Sequence, residues 1–275
     1  MRSPSALRAS WVATVVASVL AFAPPVATSL TGSTADPAPI ASEIASSERS
    51  EPSGDGAGAA SAGAAAPSPP EPAEPTGHLL VRVPRDMPVR ADPSSNASVV
   101  GTMPSDSKYY DVPVTAWIEE ISPDGRWGRV EIPYVWPRRH GWIPLRDLAR
   151  RTTGVQVRVD LSEHRITVTR FGQVLFGMPA ATGSAVSPTP PGEYFVTDRI
   201  AFSGGSLGTF AYGISGIQPN LPPGWNGGNQ LAIHGTNDPS SIGRSASAGC
   251  LRVSERSLDR LKPLLALGTP VLVVR

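Results

Sequence analysis

The chain has 275 residues, 40% hydrophobic and 17% charged, enough to bury one or two ordinary cores. Its formal net charge is +1, so nothing argues for a nucleic-acid partner. A single cysteine excludes an intrachain disulfide. The four scattered histidines, with no His-x-x-x-His or Cys-x-x-Cys spacing, give no metal site to expect, and no Walker or Rossmann glycine-rich loop appears.

Arg2 and Arg8 precede an apolar run, Trp11 to Ala23, which reads as a secretory signal or a membrane anchor over residues 1–30. The run is short for a span, which needs about 20 apolar residues. Either reading exports the rest of the chain to the cell envelope, a periplasm-like space or the wall, with the N-terminal segment able to contact the membrane. Residues 31–77 are Ala, Ser, Gly, Pro and Glu with almost no branched or aromatic apolar content. Such a stretch buries too little surface to offset chain entropy and is expected to be an extended, disordered linker.

From residue 78 to 150 the composition changes. LLVRV, VVGTM, DVPVTAWIEEI, WGRVEI and GWIPL are short runs rich in Val, Ile and Trp, separated by turn clusters such as Ser122-Pro123-Asp124-Gly125. Short strands at close spacing predict a small all-β barrel or sandwich. Val89-Arg90-Ala91-Asp92-Pro93, Gly125-Arg126-Trp127-Gly128-Arg129-Val130 and Gly141-Trp142-Ile143 resemble a bacterial SH3-like domain. The resemblance implies strand positions for Trp127 and Trp142. Two readings stand for Tyr109, Tyr110, Tyr134 and Trp136: an exposed contact surface, or core packing.

Residues 151–275 are again strand-rich. Val155 to Val159 alternates apolar and polar, and Arg165–Arg170 and Val174–Met178 flank a hairpin turn at Phe171-Gly172-Gln173. Glu193 to Val196 predicts a further strand. Thr182 and Gly183 are either groove-lining or plain turn residues. Ser203 to Gly228 is loop-rich enough to be a substrate flap, with Tyr212 and Trp225 as candidate ligand contacts or inward-packed aromatics. Near the end, Ser254 caps a helix with Glu255 in its first turn. Leu258, Leu261, Leu264 and Leu265 share a face, Gly268 ends the helix, and Val271 to Val274 is a last strand.

The chemistry concentrates in Leu231 to Val253, LAIHGTNDPSSIGRSASAGCLRV. A thiol with a free pKa of about 8.5 is only partly ionised at neutral pH, and an imidazole within reach can take its proton. Cys250 and His234 are therefore candidates for a nucleophile and its base. Gly249, without a side chain, allows a carbonyl to approach, and the Gly249 and Cys250 amides are expected to face a developing oxyanion. Arg252 either holds a carboxylate or makes an ordinary surface ion pair. A buried structural cysteine and a core histidine are the competing reading. Asp238 or a backbone carbonyl can orient the His234 ring.

Ile233-His234-Gly235-Thr236-Asn237 followed by Ser247-Ala248-Gly249-Cys250-Leu251-Arg252 resembles the signature of the L,D-transpeptidase catalytic domain, the YkuD family. One position departs: Ala248 stands where that family usually carries a second histidine. The resemblance implies a mainly β fold, a YkuD-type β-sandwich with a short C-terminal helix following the SH3-like barrel. It implies Cys250 as nucleophile, His234 as base, and Gly249, Gly235, Ser247, Arg252 and Thr236 around the oxyanion and substrate. It further implies peptidoglycan stem peptides as substrates, inhibition by carbapenems, and no cofactor. An L,D-carboxypeptidase, an enzyme attaching protein to the wall, and a wall-binding module weakened by Ala248 remain as alternatives.

Overall fold

Val155, Val157 and Val159 are buried while Gln156, Arg158 and Asp160 are not, a two-residue period that makes Val155–Asp160 a strand with one face on a core. The computed structural model of the protein describes residues 77–275, and two β-rich lobes follow from this kind of patterning. The leader expected over 1–30 and the linker expected over 31–77 lie outside the described residues, Gly77 excepted. The described residues cluster as one unit. Among the described residues no helix is long and apolar enough to cross a membrane.

The first lobe has eight strands: β1 (His78–Arg82), β2 (Met87–Arg90), β3 (Val99–Met103), β4 (Thr115–Ile118), β5 (Glu120–Ile121), β6 (Trp127–Glu131), β7 (His140–Pro144) and β8 (Arg150–Thr153). They form a five-stranded sheet in the order β3-β2-β7-β6-β5 and a three-stranded sheet in the order β4-β1-β8, all antiparallel. Leu80, Val81, Val89, Met103, Val130, Ile143 and Leu145 fill the core between them.

The second lobe carries β9 (Val155–Asp160), β10 (Arg165–Arg170), β11 (Gln173–Pro179), β12 (Thr182–Gly183), β13 (Gly192–Ala201), β14 (Phe210–Ile217), β15 (Gln230–His234), β16 (Ser245–Ser247), β17 (Leu251–Arg252), the helix α1 (Glu255–Leu261) and β18 (Pro270–Val274). Eight of its strands make one mixed sheet, β11-β10-β9-β18-β13-β14-β15-β17, and β12 and β16 form a small parallel ladder. Phe171 and Gly172, both at positive φ (48° and 75°), turn the β10–β11 hairpin in two residues. The Ser254 side chain accepts the Ser257 amide at the start of α1. The helix stops at Leu261, earlier than the leucine spacing predicts. Pro263 has no N–H to give to the next turn, so Leu265 reaches the core from the segment beyond.

Strand β13 joins the two lobes. Tyr194 and Val196 point into the second lobe's core, while Phe195, between them, is buried in the first lobe's core. Leu272 on β18 packs against the first core in the same way. Beside this seam, Glu131 is 2% exposed and takes Arg138 Nε at 2.7 Å, with the Ser215 hydroxyl donating to its other oxygen. Arg138 donates to the Glu193 carbonyl at 2.5 Å and lies 4.7 Å over the Tyr194 ring. Burial pushes the Glu131 carboxyl up to about 7 against the pull of Arg138, the Ser215 hydroxyl and His140.

Candidate active site

β15 and β17 run parallel, with Ile233 opposite Leu251 and His234 opposite Arg252. Side chains two apart on a strand share a face. Ala232 and His234 on β15, with Arg252 on β17 and Cys250 just before it, line the same cleft, a cavity of about 450 Å³. Ser247 and Ala248 also line it. The charge and nucleophile candidates of the sequence thus meet here.

His234 is 4% exposed. Its Nδ1 lies 2.5 Å from the Gly235 carbonyl oxygen. A carbonyl only accepts, so Nδ1 carries the hydrogen and Nε2 keeps a lone pair. Burial lowers the imidazole pKa to about 4; the Gly235 carbonyl opposes this and the Arg252 cation adds to it. The ring is held by that carbonyl and not by Asp238, whose carboxylate accepts from Ser240 in its own loop. Cys250 is half-buried, and its Sγ donates to the Gln230 carbonyl at 3.8 Å. Burial pushes the thiol pKa up, opposed by the Ala232 backbone and by Arg252. The resting pair at neutral pH is therefore a thiol and a neutral imidazole.

The turn before Cys250 is held by hydroxyls. Ser247 Oγ accepts from Gly249 N at 3.1 Å and donates to the Cys250 carbonyl at 2.6 Å. Thr189 Oγ1 donates to the Gly249 carbonyl at 2.8 Å and accepts from Gly183 N at 2.8 Å. This corrects the expectation for Gly249: both its backbone groups are taken, and its amide does not serve the cleft. Among the described residues no acceptor takes the Cys250 amide, which leaves that N–H for an oxyanion. Ser247 orders the turn and also borders the cleft.

Gly235 and Thr236 do not line the cleft either. A Cβ on Gly235 would lie 2.2 Å from Glu255 Oε1 and 2.9 Å from Gly208 Cα, so the glycine permits a close backbone approach. Thr236 Oγ1 accepts the Asp238 amide at 3.0 Å and shapes the loop. Arg252 lines the cleft and forms no ion pair among the described residues, so its cation is open to a ligand carboxylate. Tyr212 is fully buried with its hydroxyl unpartnered, so it makes no ligand contact, whereas Trp225 is exposed on the cleft wall. Thr182 and Gly183 line a separate shallow pocket of about 300 Å³. No cluster of three or more His, Cys, Asp or Glu suited to a metal occurs among the described residues.

Sequence reasoning missed Gln218 and Gln230. Gln218 donates from Nε2 to the Ser187 and Pro188 carbonyls at 3.2 and 3.0 Å, and its Oε1 accepts from Asn220 N at 2.9 Å. The Gln230 backbone holds the thiol, and its carboxamide is anchored on Asp198 at 2.7 Å and Thr197 at 2.9 Å. Neither glutamine sits in a motif, so no local signal marks them. From the first lobe, Tyr109 and Tyr110 form part of the cleft wall.

A half-buried thiol just before β17 and a neutral imidazole at the end of the parallel strand β15, lining one cleft, define a β domain with a Cys–His site. Residues 154–273 match the profile of the YkuD family, the L,D-transpeptidase catalytic domain. A curated Bacillus subtilis relative, named as a candidate L,D-transpeptidase, YkuD, is 27% identical over 124 residues, covering 45% of this chain and 68% of that protein. An L,D-transpeptidase structure from Mycobacterium smegmatis aligns with a TM-score of 0.38 at 18% identity, over 54% of this chain and 67% of its own. One from Mycobacterium tuberculosis aligns with a TM-score of 0.38 at 22% identity, over 50% and 72%.

Proposed function

We propose that the protein is a peptidoglycan L,D-transpeptidase working through a Cys250 acyl-enzyme. The observation that carries this is the free Nε2 of a neutral His234 sharing a cleft with Cys250, beside an unpaired Arg252. Cys250 Sγ attacks the carbonyl carbon of the third residue of a donor stem tetrapeptide, and His234 Nε2 takes the thiol proton. The oxyanion is met by the Cys250 N–H. As the C–N bond breaks, His234 returns its proton to the departing D-alanine amine. The side-chain amine of the third residue of a second stem then attacks the thioester. Its proton passes through His234 to the leaving sulfur, and the cross-link forms. Arg252 receives a substrate carboxylate. No cofactor enters any step.

The match to the YkuD family over residues 154–273 supports this reading. The basic start and apolar run of residues 1–30 support the part of this reading that exports the chain to the cell envelope. The antiparallel sheets of residues 78–150, with Trp127 on β6 and Trp142 on β7, support an SH3-like assignment for the first lobe.

A second reading, a wall-binding module without catalysis, is favoured by two observations. The thiol donates to Gln230 rather than to His234, and Ala248 lines the cleft where the family usually has a histidine. Intact-protein mass after exposure to a carbapenem tests both, with Cys250→Ala alongside. An adduct that requires Cys250 supports the enzyme. No adduct, together with a thiol inert to a small alkylating reagent at neutral pH, supports the binding module. Donor tetrapeptide with and without acceptor then separates transfer from hydrolysis.

A further inference from the structure

The first lobe reaches the cleft through one tip. Ser107 N donates to the Val112 carbonyl at 2.8 Å, and Val112 N donates to Ser107 Oγ at 3.1 Å, closing a short loop around Asp111 at φ 51°. This closure presents Lys108, Tyr109 and Tyr110 toward the second lobe. The two tyrosines are differently employed. The Tyr109 hydroxyl donates to Asn229 Oδ1 at 2.7 Å, its ring meets Tyr134 edge-on at 6.1 Å, and the Lys108 ammonium lies 5.2 Å from its centroid. Tyr109 is a strut that braces the loop between β14 and β15. Tyr110 is 46% exposed and Trp225, on that braced loop, is 47% exposed; both line the cleft, and neither has an aromatic or cationic partner among the described residues.

Among the described residues, Arg252, two positions from Cys250, is the only permanently charged side chain lining the cleft. Around Tyr110 and Trp225 the lining side chains themselves are uncharged, with the Lys108 ammonium engaged over the Tyr109 ring, and Asn229, its Oδ1 occupied by Tyr109, keeps its Nδ2 free to donate among the described residues. A ligand part with a carboxylate suits the Arg252 end. The exposed aromatic wall of Tyr110 and Trp225 suits a neutral ring that has apolar C–H faces for stacking and hydroxyl or acetamido oxygens for an amide donor.

We propose that Tyr110 and Trp225 form a saccharide platform that stacks a pyranose ring of the glycan bearing the stem peptide. This rests on the peptidoglycan reading of the Cys250 site and adds a subsite to it. The first lobe is then part of the substrate-binding surface.

The test is saturation-transfer NMR on full-chain Cys250→Ala protein with the neutral disaccharide of two N-acetylglucosamine units. Transfer to sugar ring protons is expected. It should fall at least roughly tenfold when Tyr110 and Trp225 are both alanine, the scale of losing stacked aromatic contacts. It should be retained in Tyr110→Phe. Each single alanine variant carries the test by itself if the double variant melts early. Absence of transfer in the parent, or equal transfer in the alanine variants, overturns the proposal. So does transfer to a free diamino acid in place of the sugar, which would make the platform a seat for the acceptor ammonium. A carbapenem adduct on wild-type Cys250 is read separately. Sugar binding with neither a carbapenem adduct nor alkylation of the thiol at neutral pH would sink the transpeptidase reading and leave the platform standing.

Discussion

The carboxamide of Gln218 occupies the place where a side chain on Gly249 would have to go: a Cβ built there lies 2.1 Å from Gln218 Nε2. Gly249 also has φ at +111°, a conformation L side chains rarely adopt. Gln218 cannot retreat cheaply, because its amide ties Ser187, Pro188 and Asn220 together. Gly249→Ala is therefore expected to cost about 1–3 kcal/mol. It should also shift the Cys250 turn enough to slow alkylation of the thiol at least tenfold. Thermal melting and the rate of adduct formation measure the two effects, and a variant that matches wild type in both would remove this account of the glycine.

His234 controls the thiol through its lone pair. His234→Ala is expected to slow Cys250 acylation at pH 7 by roughly 10²–10⁴, the usual range for a positioned base. The deficit should narrow as the pH is raised, since hydroxide can then remove the thiol proton without help. In the wild type the imidazole, lowered to about 4, should stay competent down to mildly acidic pH. An equal pH–rate profile for both proteins would show that His234 does not serve Cys250.

Glu131 gives the lobe seam a pH dependence of defined sign. Its carboxyl is raised from 4.5 to about 7, so the folded chain holds this proton more tightly than the unfolded one. Its contribution is complete below about pH 4.5 and is lost as the pH rises through about 7. His234, lowered from 6.5 to about 4, acts oppositely: its contribution is present above about 6.5 and lost as the pH falls through about 4. The two partly cancel in the wild type. The stability of wild type relative to Glu131→Gln should therefore decline between pH 5 and pH 8, as read from urea midpoints. A difference that is flat or rises with pH contradicts the assignment.

Phe195 should be as costly to truncate as any residue of the first lobe's own core. It is 1% exposed and lies among that lobe's apolar side chains, although it is carried by a strand of the other lobe. Phe195→Ala is expected to lose about 3–5 kcal/mol in chemical denaturation. The loss should appear in probes of both lobes at once. A change confined to one of them would show that the seam is energetically slack.

Much of the fold was legible because one-sided burial leaves a period. β9 and β10 alternate, Ser254 announces its helix, and Phe171-Gly172 marks its turn. Tyr194 to Asp198 is different: all five residues are buried, because both faces of β13 are covered, and no alternation survives to say which side faces what. At the site, Cys250 and His234 stood out by their chemistry. The engagement of the Gly249 amide by Ser247 did not, because it depends on a backbone angle that residue types do not encode uniquely. Ser203 to Gly228 reads as loop in the sequence, but Phe210–Ile217 is strand β14; its central residues Ala211 to Gly216 are all buried, so no alternation marks it, and Tyr212 on it turns inward while Trp225, in the loop that follows, lies on the cleft wall.

The doubly covered strand also bears on what a protease could release. A cut at Gly154 falls between β8 and β9, where composition would place a joint. The C-terminal product, however, would carry Phe195 and Leu272 bare to water on the face the first lobe had covered. Such a fragment keeps Cys250 and His234 in its sequence yet gains an adhesive surface. The nicked chain is better pictured as a two-piece molecule whose halves stay clasped than as an enzyme set free of its appendage.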